Sequence, residues 1–138
     1  MCRGVRFEFD GKPFEYHFNR YAARLPVRLQ SGDCTLVTWG RRPKEAGEFP
    51  FGASISLSSV QAGRWDAFQP KPVKIAVHEF MEHDVMGNAH WFKVMPGQYL
   101  QGMLARHGQQ MRVYVIELNC NAEDTFFERW PRIVNAPF

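Results

Sequence analysis

What most restricts the fold of this chain is its punctuation: apolar and polar residues alternate over short runs, and turn-forming residues break each run. A period of two suits strands that bury one face, whereas an amphipathic helix repeats near 3.6. Val5-Arg6-Phe7-Glu8-Phe9 alternates strictly, Asp10-Gly11-Lys12 reads as a turn, and Phe14-Glu15-Tyr16-His17-Phe18 resumes the pattern, predicting a hairpin. Segments 26–29 and 34–39 flank Ser31-Gly32-Asp33 and predict a second one. Two prolines and a glycine make 41–50 a loop whose length and charge suit ligand contact. The serines at 56, 58 and 59 can cap a short helix running to Phe68, ended by Pro70 and Pro72. Segment 73–81 returns as a strand, and 91–95, Pro96-Gly97 and 99–105 predict the clearest hairpin, since Pro-Gly fits a type II turn. Alternation resumes over 112–118, Asn121-Ala122-Glu123-Asp124 can start a short helix, and 132–134 is expected to close the sheet. Together these predict an α+β fold, a mostly antiparallel and strongly curved β-sheet with a few short helices.

A chain of 138 residues with 45% hydrophobic content suits one domain spanning 1–138 with one core. Cys2, Cys34 and Cys120 are odd in number and widely spaced, which argues against a disulfide framework or zinc cluster and predicts a cytoplasmic protein. Charges interrupt every apolar stretch near the start, and no run approaches the roughly 18 residues of a membrane span. Neither a signal peptide nor a membrane partner is expected. The segment His78-Glu79-Phe80-Met81-Glu82-His83 resembles a zincin motif but lacks a His at 82 or at 79. His78 and His83, five apart, face different directions on a helix or a strand, so no metal and no cofactor is expected.

Chemistry enters at Cys2. A small side chain behind Met1 normally permits removal of the Met, which would leave a thiol and an α-amine on one residue. These groups titrate near ~8.5 and ~8, so each is partly nucleophilic at neutral pH. Such an aminothiol attacks an aldehyde through nitrogen and closes through sulfur to a thiazolidine. Glu82, among Phe80, Met81 and Val85, is either a partly buried general acid or an ordinary solvent-facing strand residue. Residues 1–50 carry nine Lys and Arg against six acids, and the rest of the chain is balanced. That excess, with Arg3, Arg6, Arg41 and Arg42 prominent, suits a polyanion or is a solvated basic face. Trp39 and Trp91 are either base-stacking platforms or core.

Four motifs then occur in a suggestive order: Met1-Cys2-Arg3-Gly4, Val37-Thr38-Trp39-Gly40, Glu79-Phe80-Met81-Glu82 and Arg129-Trp130-Pro131. In this the chain resembles the SOS-response-associated peptidase (SRAP) domains, over nearly its whole length but through short, imperfect motifs. Members of that family are usually longer, so the resemblance is to a trimmed and divergent form, of the kind a phage would carry. It implies a single-stranded DNA-binding protein of the DNA damage response, whose peptidase-type N-terminal Cys2 cross-links to abasic sites. Glu82 would be the acid/base carboxylate, solvent-accessible Cys2 would lie beside it, and Arg129 would lie near the DNA backbone. Arg3 matches the family's arginine with a displacement of one.

The departures are specific. Gly52-Ala53-Ser54-Ile55-Ser56 stands where Asn-Ala-Arg-x-Glu is expected, Phe127 replaces the family's His, and His83 replaces the aromatic residue after the carboxylate. Two other readings follow: a DNA-binding module without covalent chemistry, and a phage structural or interaction protein.

Overall fold

Alternation does become strand wherever a tight turn follows it. The structure, a computed structural model, describes residues 2–20, 22–119, 127 and 129–135. Strands β1 (Cys2–Phe9) and β2 (Lys12–His17) pair antiparallel around Asp10 and Gly11, both at positive φ as a type I′ turn requires. Strands β3 (Arg24–Arg28) and β4 (Cys34–Thr38) form the second predicted hairpin. After the 41–50 loop come β5 (Ser54–Ser56) and α1 (Leu57–Gln61), with the Ser56 side chain accepting the Ser59 N–H as N-cap. The helix stops well short of Phe68. Gly63 at positive φ turns the chain, and only a 3-10 turn, Asp66–Phe68, follows.

Downstream, two expectations need correction. Segment 73–81 is two strands, β6 (Lys71–Ile75) and β7 (Glu79–His83), which lie in different sheets. Pro96-Gly97 does form a turn, with the Gln98 N–H bonded to Met95 O at 2.9 Å and Gly97 at positive φ. Yet it joins β8 (Ala89–Lys93) to β9 (Gln98–His107) across sheets rather than within a hairpin. The hairpins here are β7–β8 and β9 with β10 (Gln110–Asn119). Strands β11 (Arg129–Pro131) and β12 (Ile133–Asn135) add to β10 and β9. The helix expected at 121–124 lies outside the described residues.

One sheet runs β2-β1-β7-β8, and the other runs β11-β10-β9-β6-β3-β4 with β12 on β9 and β5 on β10. Among these strand pairs only β5–β10 is parallel. The strongly curved sheet expected from the sequence is therefore not what forms. Both sheets are open rows, and β12 extends β9 instead of closing anything. The chain crosses between sheets at 76–78 and 94–97, so apolar faces are buried by two layers sharing a core, without one sheet bending around itself.

That core fixes the direction of the site residues. Val5, Phe7 and Phe80 of one sheet pack with Leu25, Ile75, Val113 and Val115 of the other. On its opposite face β10 sends Tyr114 and Ile116 into a second cluster with Phe49, Ile55 and Trp65. With side chains alternating along a strand, Glu117 shares the face of Val113 and Val115, and Glu82 shares that of Phe80.

Candidate functional site

At one end of the shared core these inward phases meet. Cys2 lies opposite Glu82 in the β1–β7 register, next to a bulge between Cys2 and Gly4. Its backbone N–H donates to Glu117 Oε1 at 2.5 Å, and Ser54 Oγ donates to the same oxygen at 2.9 Å. The parallel β5–β10 pairing places Ser54 beside that strand, opposite Val115. Cys2 and Glu82 are 0% exposed and Glu117 2%, so the expectation of a solvent-accessible Cys2 is corrected. Cys2 Sγ lies 3.8 Å from Gly4 O.

Burial of two carboxyls together has electrostatic consequences. Loss of hydration, and then the nearby charge of Glu117, push the Glu82 carboxyl up to about 7. The Cys2 thiol is held well above its ordinary value, first by burial and then by Glu82 and Glu117. Near neutral pH the thiol therefore keeps its proton, while Glu82 stands close to its midpoint.

Residues just beyond this cluster open onto solvent. Arg3, Asn19, His83, Asp84 and Arg129 line a cavity of about 740 Å³, and a second of about 750 Å³ shares Arg3 and Asn19 and adds Arg42, Lys44 and Arg112. Arg3 and Asn19 thus stand between two clefts rich in cations. Within them Glu45 engages Arg42 at 2.9 Å and Arg112 at 3.1 Å. Asp84 binds His90 at 2.7 Å, and this contact holds its carboxyl below the usual range.

The remaining predicted residues are scattered or occupied. Arg6 stacks on Trp91, 3.7 Å from the ring centroid, and pairs with Glu15 at 2.7 Å and Glu79 at 3.6 Å. Arg41 donates to Glu45 O and Phe49 O. Arg42 is buried and donates to Phe18 O and Trp39 O. Both guanidinium groups are thus engaged with carbonyls of the chain itself. Trp39 is fully buried, its indole N–H bonded to Ala53 O at 2.9 Å, and presents no face to a base. Gly52 sits at φ +121°, where side chains are rarely found, and forms paired backbone bonds with Arg41. Phe127 packs edge-on against His90, Phe92 and Trp130.

Glu117 and Ser54 escape a motif search. The signal that could have found Glu117 was phase: two residues after Val115, and four after Val113, it falls on the core face. Among the described residues no group of three or more His, Cys, Asp or Glu is placed to hold a metal. No helix among them is long and apolar enough to cross a membrane. No family model, curated protein or solved structure matches the chain.

Proposed function

We propose that, once Met1 is removed, this chain acts as an N-terminal aminothiol that cross-links to the aldehyde of an abasic site in single-stranded DNA. The observation that carries the reading is the pairing of Cys2 with a buried carboxyl, Glu82, at the edge of an arginine-lined cleft. Removal of Met1 turns the Cys2 amide nitrogen into the attacking amine. A carboxyl whose hold on its proton is raised by lost hydration and by Glu117 is suited to protonate the aldehyde oxygen as the amine attacks. Arg3 and Arg129, which line the same cavity, would engage backbone phosphates. Because Sγ is buried, the lesion reaches Cys2 only when this end of the two sheets opens to it, with the Cys2 nitrogen still beside Glu117.

The test is incubation with a single-stranded oligonucleotide carrying one abasic site, followed by denaturing electrophoresis. A stable adduct is expected, lost in Cys2→Ala and slowed ~10²-fold in Glu82→Gln, the scale of a general acid. Equal adduct from the unmodified chain and Cys2→Ala refutes the covalent reading. The buried thiol, the left-handed Gly52 and the packed Phe127 favour one alternative, a DNA-binding module without this chemistry. It would bind the same oligonucleotide without forming an adduct.

A further inference from the structure

The atom that Glu117 holds is the backbone nitrogen of Cys2, the atom that would become the nucleophile, and not the thiol. Val113 and Val115 precede it on the same face, so an apolar residue would continue the core at position 117. One peptide N–H would also be satisfied by a neutral acceptor, without confining a second carboxyl beside Glu82. Ser54 fixes the carboxyl from the neighbouring strand. Independently, Arg3 and His83, one residue beyond Cys2 and Glu82, line the cavity at this end of the sheets.

From this arrangement, and resting on the aminothiol reading, we infer that Glu117 is a second catalytic carboxylate, which takes the proton that the Cys2 amine loses as it attacks. The protons balance around the two acids. As the C–N bond forms, Glu117 takes the N–H proton and Glu82 protonates the carbonyl oxygen. Glu117 then returns its proton to the hydroxyl, which leaves as water and gives the iminium. Sulfur bonds to the same carbon, and its proton restores Glu82. One water is released and nothing is oxidised. The charged groups acting on Cys2 and Glu82 include Glu117 from β10, Glu82 from β7, Arg3 from β1 and the α-amino group of the chain.

The experiment uses protein shown by intact mass to begin at Cys2, with glycolaldehyde as a small probe and the abasic oligonucleotide as the full substrate. Imine formation is trapped with cyanoborohydride from about pH 6 to about pH 9, the range over which an α-amine titrates. Glu117→Gln keeps an oxygen to accept the nitrogen's proton but cannot remove it. We expect it to lower the trapped rate ~10²-fold near pH 7 and to recover toward the unmodified rate at the alkaline end. A purely structural role leaves rate and profile unchanged, and that result overturns the inference while the cross-linking reading survives. If Glu117→Gln does not fold, Ser54→Ala, which removes the hydroxyl bonded to Glu117, should show a smaller loss with the same alkaline recovery; an unchanged profile again overturns the inference. Imine with glycolaldehyde but no DNA adduct sinks the DNA reading and leaves the role of Glu117 intact. Retained Met1, or no imine with either aldehyde, overturns both.

Discussion

Substituting Glu82→Gln should change how stability depends on pH, in a direction opposite to that of an ordinary salt-bridged carboxylate. Glu82 titrates at about 7 in the folded chain instead of its ordinary 4.5, chiefly because burial removes its water. Between those values the native carboxyl keeps a proton that the unfolded chain has lost. The native state binds more protons, so stability falls as pH rises through this window and levels off above it. At about 1.4 kcal/mol for each tenfold change in proton affinity, the fall attributable to Glu82 is roughly 3 kcal/mol. Gln mimics the protonated form and cannot ionise, so its curve should lack that component. Urea unfolding of both proteins at a series of pH values measures it, since every other titrating group is common to the pair. The variant should lie close to the unmodified protein near pH 4.5 and exceed it by about 2–3 kcal/mol near pH 8. Parallel curves across that range would refute both the burial argument and the use of Glu82 as an acid near neutrality.

Two further outcomes follow from the same geometry. Replacing Arg3 and Arg129 together by Ala should flatten the log–log salt dependence of single-stranded DNA affinity by about 0.7 for each phosphate no longer neutralised, whereas Arg41→Ala, whose guanidinium serves loop carbonyls, should leave that slope unchanged. The reverse pattern would move the DNA path away from the Arg3 cavity. In native protein, iodoacetamide should modify exposed Cys34 well before buried Cys2, with Cys2 reacting fast only after denaturation; peptide mapping of the time course would show otherwise if Cys2 labels first.

How much of this was legible depended on the range over which each signal acts. Asp10-Gly11 dictates a two-residue turn and so the pairing of β1 with β2, because the partners are adjacent in the chain. Pro96-Gly97 dictates its own bend equally well but says nothing about which strands are paired, and β8 and β9 leave it for different sheets. The β7–β8 hairpin went unseen because its turn is organised by the Asp84 carboxylate, which accepts the N–H groups of Met86 and Asn88 at 2.9 Å. Charge counting found the arginines near the clefts but not which carbonyls they already serve. Arg42 is occupied by Phe18 O, Trp39 O and Glu45, none of which charge counting reveals. Cys2 beside Glu82 follows from the motif order and arises within one sheet, through β1–β7 pairing, while the full burial of Cys2 and the approach of Glu117 arise where the second layer packs on the first.

These positions bear on the histidine that the SRAP resemblance implies and in whose place Phe127 stands. Closing a thiazolidine requires that the amine proton be received and the departing oxygen be protonated; a single histidine can alternate between those tasks because an imidazole titrates near neutrality. Phe127 can do neither, and it lies among aromatic rings. His83 lines the cavity but lies one residue past the inward phase of Glu82. A pair of carboxyls can divide the transfers, since one can take the nitrogen's proton and return it to the departing hydroxyl while the other, its hold on a proton raised by burial, protonates the carbonyl oxygen. On the proposed cross-linking reading, the burial that holds the thiol's proton makes nitrogen attack first, with sulfur following onto the more electrophilic iminium. On this reading the order of bond formation follows from the environment: a site that raises its thiol and its acid together favours imine chemistry over direct attack by sulfur.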